Sequence, residues 1–408
     1  MRGGAIPCRS GFTVAAPTTS RPSAGAVVIG GDYQGLGIVR SLGRRGIPVC
    51  VIDDEKSIAR FSRYTTHSLL VPSLRNEGQA IEALAAAKQR FHVNGWVVYP
   101  TRDETVAELA RHGSTLTDVF RIPTPHWEVV KWAWDKRNTY HLAENLGIST
   151  PRTWYAKHVE DLDQIALDPP FAVKPTVKEQ FFYATKAKAW RANTRSELRT
   201  LFLRAQEVVG PGEVMIQDLI PGDGRQQFAY CAFFKEGRAI AKMVVQRRRQ
   251  HPPEFGRSST FVETVDLPLL EDLSERFLRV IDYYGLVELE YKLDPRDGEY
   301  RLLDFNARTW GYHSLGQRAG IDFPYLLFAD QIGEPAPECR GRIGVKWIRL
   351  LTDVPTAVVE VFAGRQNLLD YLRSLATCHT EAVFARDDPT PGLAEIALFP
   401  YLCIKRGF

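Results

Sequence analysis

Nowhere in the 408 residues does an apolar run approach the ~20 needed to carry a helix across a membrane. Cysteine is scarce: Cys8, Cys50, Cys231, Cys339, Cys378 and Cys403 are the only six, and no two form a CxxC pair. That spacing fits neither a zinc site nor a disulfide framework, so reduced thiols in a cytoplasmic protein are expected. The nine histidines are scattered without an HExxH, which excludes the helix-borne zinc-protease arrangement. An excess of charge of one sign is missing too. Lys and Arg number 52 against 48 acids, a net of +4, which does not call for a nucleic-acid or membrane partner. The N-terminal stretch, rich in Ala, Thr, Ser, Pro and Gly, lacks the apolar region of a signal peptide. It is expected to be a disordered tail over residues 1–24.

What remains is ordinary globular material, 44% hydrophobic and 25% charged, long enough for two or three domains. AVVIGG (26–31), PVCVIDD (48–54) and WVVYPTRDE (96–104) read as strands alternating with helices. That order implies a parallel sheet covered on both faces, hence an α/β unit over residues 25–125. FRIPTPHW (120–127) carries two prolines and marks a boundary. A second unit follows over 126–335, in which QQFAYCAFFKEGRAIAKMVV reads as paired strands and EDLSERFLRVIDYYG as an amphipathic helix. Residues 336–408 form a C-terminal extension without a recognisable motif, and no internal repeat is visible.

Gly30, Gly31, Gly35 and Gly37 open the first helix. A GxGxxG dinucleotide fingerprint counted from Gly30 puts Asp32 where its middle glycine must admit pyrophosphate. A carboxylate there repels phosphate. A nicotinamide enzyme with Asp53 or Asp54 on the ribose is thereby weakened, and a tight strand-to-helix turn is favoured.

The informative segment is VELEYKLDPRDGEYRLLDFNAR (287–308). Alternate side chains of a strand share a face. Glu288, Glu290 and Lys292 therefore lie together, as do Asp304, Asn306 and Arg308, with Leu303 and Phe305 opposite. A three-residue turn at Arg296-Asp297-Gly298 places Glu290 across from Asp304 and Glu288 across from Asn306. Clustered carboxylates repel unless a cation intervenes, and an oxygen-only set suits magnesium. The competing reading is a solvated polar face, but Asn-x-Arg adds an amide and a phosphate-matched cation.

This hairpin resembles that of the ATP-grasp superfamily. The resemblance implies an α/β pre-ATP-grasp domain followed by a two-subdomain ATP-grasp fold. It also implies ATP as substrate and magnesium, with manganese as an alternative, held by Glu290, Asp304 and Asn306. The family usually carries glutamate at the position of Asp304. Arg308 matches the arginine on the reacting phosphate and carboxylate. Lys136 in DKRNTYHLAENLGI and Lys174 in FAVKP look like the two phosphate-binding lysines. EVMIQDLIPG looks like the segment linking the subdomains, so Gln217, Asp218, Leu219 and Ile220 would border the adenine, with Asp223 or Gln227 toward the ribose. The glycine-rich flap usual after FAVKP is absent. TVKEQFFYATKAKAW offers Lys178, Thr185, Lys186 and Lys188 in its place, and Lys186 is the residue expected on the phosphates. In VVQRRRQHPPEFGRSSTFVET, Arg257 is expected on the substrate carboxylate, and the arginine triplet reads as a basic strand edge. Together with FNARTWGYHSLG, these segments are similar to a branch called carboxylate–amine ligases. The implied reaction activates a small carboxylate as an acyl phosphate for an amine, releasing ADP and phosphate. The rivals are a bicarbonate-activating carboxylase or carbamoyl-phosphate-type enzyme and a non-catalytic ATP-binding regulator. A homo-oligomer is compatible with all of these readings.

Overall fold

The computed structural model describes residues 24–406, with side chains to residue 402. The expected tail therefore lies outside the described residues except for Ala24, which is buried. Among the described residues no helix is long and apolar enough to cross a membrane.

The first unit is a four-stranded parallel sheet in the order β3-β2-β1-β4. Its strands are β1 (Ala26–Ile29), β2 (Val49–Asp53), β3 (His67–Leu70) and β4 (Val97–Pro100). Helix α1 (Tyr33–Gly43) lies between β1 and β2, α2 (Gln79–Phe91) before β4, and α3 (Asp103–His112) after it. Period-two alternation divides the strands between two cores. Val28, Val51 and Tyr99 pack with Leu36 and Val39 of α1. Val27, Ile52 and Val98 pack with Leu84 of α2 and Leu109 of α3. The opening glycines serve close packing: a Cβ on Gly35 would sit 2.1 Å from the Gly30 carbonyl oxygen. Asp53 accepts from the Gly31 N–H at 2.6 Å and pairs with Arg102 at 2.7 Å, so it is committed to structure and not offered to a ribose.

Helices α4 (Trp127–Trp134) and α5 (Lys136–Asn145) lead into a smaller sheet in the order β5-β8-β6-β7. It comprises β5 (Thr153–Trp154), β6 (Phe171–Pro175), β7 (Trp190–Ala192) and β8 (Val214–Asp218). Helices α6 (Lys178–Thr185) and α7 (Arg195–Val209) belong to it. Its core holds Phe171, Val173, Phe181, Phe202 and Ile216.

The third layer is an eight-stranded sheet. It contains β9 (Gln227–Lys235), β10 (Arg238–His251), β11 (Ser258–Val265), β12 (Gly285–Leu293) and β13 (Tyr300–Asn306). On its back face Tyr230, Phe234, Leu289, Tyr291, Leu302 and Phe305 pack on Leu270 and Phe277 of α8 (Pro268–Val280). Each such burial is worth about 1.5–3 kcal/mol relative to exposure, and it leaves the front face free for polar groups. After α9 (Leu315–Ala319) and α10 (Phe323–Gln331) the extension does not stand apart. Its β14 (Cys339–Arg340) pairs with β10 and β15 (Lys346–Ile348) with β11, and β16 (Thr380–Glu381) adds to β15. Helices α11 (Leu350–Phe362), α12 (Leu368–Ala376) and α13 (Thr390–Arg406) complete it. The Asp388 carboxylate, just before α13, is buried against Arg40 of α1 at 2.9 Å and returns the chain to the first unit.

The hairpin needs one correction. Glu290 is opposite Asp304 and Glu288 opposite Asn306, but the pairing then shifts so that Tyr291 meets Leu302 and Leu293 meets Tyr300. Gly298 N–H bonds back to Asp294 O at 2.8 Å, with Gly298 left-handed at φ 77°. The turn is thus one residue longer than a three-residue loop, and a bulge at Leu303 restores the register. Such a bulge puts two successive residues on the same side. Leu303 consequently borders the front cleft beside Asp304, while Leu302 enters the core.

Candidate active site

Two chambers open on the front face of the large sheet. One, of about 500 Å³, lies between the two sheets of the second unit. Its walls include Lys136, Lys174, Gln217 to Ile220, Gln227, Glu290 and Asp304, with Ala172, Phe255 and Leu303 as apolar surface. The other, of about 260 Å³, lies toward the first unit and is lined by Tyr33, Asp103, Glu104, Glu179, Arg257 and Arg308 among others. Lys178, Lys188, Arg247 and Glu290 border both, so the chambers meet at these four side chains.

At that junction the carboxylates are crowded by cations. Lys136, the first residue of α5, reaches Asp304 at 2.5 Å. Arg247 of β10 pairs with Glu290 at 3.0 Å and also donates to Gln227 and Gln250. Asn306 Nδ2 donates to Glu288 at 3.0 Å and to Glu290 at 3.3 Å, while Tyr312 donates to the other oxygen of Glu288. Burial alone raises a carboxyl pKa. At Asp304 it is overcome by Lys136 and Lys178, which hold the group well below the ordinary range. At Glu290 Arg247 and Lys188 do the same, and that pKa is also lowered. Glu288 goes the other way: burial and the Glu290 charge push it up to about 7.

Asp103, at the start of α3, takes Arg308 through a two-point contact at 2.7 and 2.9 Å and Lys178 at 2.5 Å. Arg308 and Lys178 also approach the Asn306 Oδ1 atom, at 3.3 and 3.4 Å. The first unit thereby contributes a carboxylate to the polar front face of the third layer.

The segment from Gln217 to Ile220 leaves β8 along the larger chamber. Lys292, on the acidic face of β12, donates to Ile220 O at 2.8 Å and Gly222 O at 3.0 Å and ties the segment to the sheet. Asp218 is held by Arg296 at 2.7 Å. Lys174 Nζ lies 3.0 Å from Tyr140 OH.

Of the residues given a role by the resemblance, all but one line one chamber or the other. The exception is Lys186. It caps α6 in a left-handed conformation, φ 58°, with its side chain exposed, and its backbone carbonyl accepts from Arg257 at 3.3 Å. Two residues on, Lys188 enters the junction. Burial lowers its pKa, against the pull of Glu290. A helix in place of a glycine-rich flap explains the exchange: Lys186, the left-handed residue that ends α6, turns outward, and Lys188 in the chain after it reaches the junction. Asp103 and Tyr312 were not singled out by sequence, Lys178 was only one of several flap residues offered, and Arg247 was read as part of a basic strand edge. The arginine triplet is divided by a bulge, since Arg247 pairs with Val262 and Arg249 already with Phe261. Arg247 reaches the site, whereas Arg248 goes to Glu263 and Arg249 to Asp353 of α11.

No family model matches the chain. A curated D-aspartate ligase from Enterococcus faecium (strain Aus0004) is 23% identical over 328 residues, which cover 75% of this chain and 76% of that protein. Among solved structures, the L-amino acid ligase from Bacillus licheniformis superposes with a TM-score of 0.60 at 16% identity, over 77% of this chain and 75% of its own. The N5-carboxyaminoimidazole synthetase of Staphylococcus aureus, complexed with ADP, gives 0.61 at 13% identity over 79% and 81%. The biotin carboxylase domain of the Hydrogenobacter thermophilus 2-oxoglutarate carboxylase, complexed with MgADP and bicarbonate, gives 0.63 at 14% identity over 79% and 73%. The chain thus shares the ATP-grasp fold of these solved structures and is similar in sequence to a D-aspartate ligase.

Proposed function

We propose that the chain is an ATP-dependent ligase that activates a small carboxylate as an acyl phosphate and joins it to an amine, releasing ADP and phosphate. The observation that carries this reading is the junction itself. A chamber with apolar walls and a hinge-like edge meets a polar chamber at Lys178, Lys188, Arg247 and Glu290. ATP fits the larger chamber, with its base along Gln217 to Ile220, its ribose toward Gln227 and its phosphates toward Lys136, Lys174 and Lys188. The donor set of Glu290, Asp304 and Asn306 is all oxygen and suits magnesium or manganese. A bound metal would neutralise charge on the terminal phosphates. The chain's own part is positioning. Lys136 and Arg247 now neutralise Asp304 and Glu290 and are placed to turn to phosphate oxygens. Arg257 and Arg308 hold the carboxylate of the acid in the polar chamber. A carboxylate oxygen takes the γ-phosphoryl group, and the amine then displaces phosphate from the acyl carbon.

The same reading assigns residues 25–125 to a pre-ATP-grasp domain, 126–335 to the ATP-grasp domain and 336–408 to an extension. Its setting is the cytoplasm, and assembly into a homo-oligomer is compatible with it. An ADP-release screen over carboxylate and amine pairs, with D-aspartate among the acids and bicarbonate as a separate arm, tests it. Release that needs both an acid and an amine supports the ligase. Release driven by bicarbonate alone, or no release with any pair, contradicts it.

A further inference from the structure

Glu179 follows Lys178 in the first turn of α6 but does not share its partners. Lys178 turns to Asp103 and the Asn306 amide. Glu179 instead lines the polar chamber beside Asp103, Glu104 and Tyr183. Its Oε2 atom is inaccessible to solvent and has no hydrogen-bond partner, a costly state for a carboxylate oxygen unless a donor arrives. The cations nearby are engaged elsewhere. Lys178 and Arg308 hold Asp103, and Arg102 holds Asp53 and Asp54. On the same wall Glu104 accepts from the Tyr183 hydroxyl. The groups facing Glu179 are thus Lys178 and Tyr183 from its own helix and Asp103 and Glu104 from α3. Burial, with the charges of Asp103 and Glu104, pushes its pKa up to about 7 against the opposing pull of Lys178. A group poised there both accepts and returns a proton near neutral pH.

We propose that this acidic wall is the nucleophile's subsite: a primary ammonium docks between Glu179 and Glu104, and Glu179 is the base that frees its amine. This rests on the ligase reading above. The ammonium gives one proton to the Glu179 carboxylate. The nitrogen lone pair then forms the C–N bond to the acyl carbon, and the C–O bond to phosphate breaks with its electron pair going to phosphate. The second nitrogen proton leaves to the departing phosphate or to solvent, and the amide is complete. An amine substrate is selected because it arrives as a cation, whereas Arg257 and Arg308, lining the same chamber, take the anion.

Hydroxylamine separates the two steps, because it is already neutral at pH 7 and needs no base. Wild type and Glu179→Gln are compared with ATP, magnesium and the acid found by the ADP-release screen. The nucleophile is either the amine from that screen or hydroxylamine. The expected result is that Glu179→Gln forms the amide about 100-fold more slowly yet forms hydroxamate within about threefold of wild type. Glu179→Asp should recover part of the amide rate. The wild-type amide rate should rise with pH through an apparent pKa near 7, a limb absent from Glu179→Gln. Equal loss of both products, or an undiminished amide rate, overturns Glu179 as the base and leaves the ligase reading standing. Failure of the wild type to form hydroxamate overturns the acyl-phosphate reading and this proposal with it.

Discussion

Lys186 and Lys188 make the sharpest contrast at the scale of single residues. Lys188→Ala should lower turnover at least tenfold, because it removes a cation from the junction of the chambers. Lys186→Ala should change turnover less than about twofold, its side chain being exposed. Steady-state kinetics on both variants decides the matter, and the reverse order would return the phosphate contact to Lys186. Asp304→Asn should lose most turnover while the chain stays folded, since an amide replaces a charged oxygen ligand; near-wild-type turnover would remove Asp304 from the metal set. Charge at this face also sets a pH dependence. The folded pKa of Glu288 is about 7 against an ordinary 4.5, so between those values the folded chain holds a proton that the unfolded chain has lost. Stability of the metal-free protein should therefore fall as pH rises through that window, and Glu288→Gln should flatten the slope in thermal melts. Asp304 has the opposite sign. Its pKa is depressed, so its contribution is present above the ordinary carboxylate pKa and fades as pH falls through the folded value. The acidic pattern was legible in sequence because alternation in a strand is a direct geometric rule. Lys188 was in view only as one of four flap residues, because which of them points inward depends on where α6 stops.

Elements explain the other gaps. Bulges reverse the alternation on which strand reading rests. One at Leu303 and one beside Arg248 each sent a side chain to an unexpected face. Neither leaves a mark in a sequence of Leu-Leu or Arg-Arg-Arg. The segment after β8 was readable as the link between the subdomains, but the lysine that secures it was not. Lys292 sits 72 positions from Ile220 in the chain. Lys292→Met keeps most of the length of the side chain and removes both bonds to the carbonyls of Ile220 and Gly222. It should raise the KM for ATP several-fold with a smaller change in kcat, because the wall of the larger chamber, proposed to hold the nucleotide, loosens while Glu290 and Asp304 keep their side chains. An unchanged KM would show that the hinge is positioned by other contacts.

For the whole molecule, the alternating order of the first unit, its parallel sheet and the hairpin of the large sheet were open to sequence reading, because hydrophobic periodicity and short turns are local. The return of the extension was not. It depends on β14 and β15 pairing with β10 and β11, and on Asp388 meeting Arg40 at a separation of 348 residues. That carboxylate is fully enclosed, its partner nearly so. Asp388→Ala leaves a buried guanidinium unpaired and should cost about 3–5 kcal/mol, seen as a lower melting temperature. An unchanged temperature would mean that the extension is held without this pair. The central claim concerns chemistry in the enclosed junction, where a carboxylate oxygen and the terminal phosphate are brought together. It is tested most directly by labelling the reactive acid with oxygen-18 in its carboxyl group and following the label through one turnover. Phosphoryl transfer to that carboxylate predicts one labelled oxygen in inorganic phosphate, with ADP as the nucleotide product. Phosphate free of label, or AMP with pyrophosphate, would contradict it.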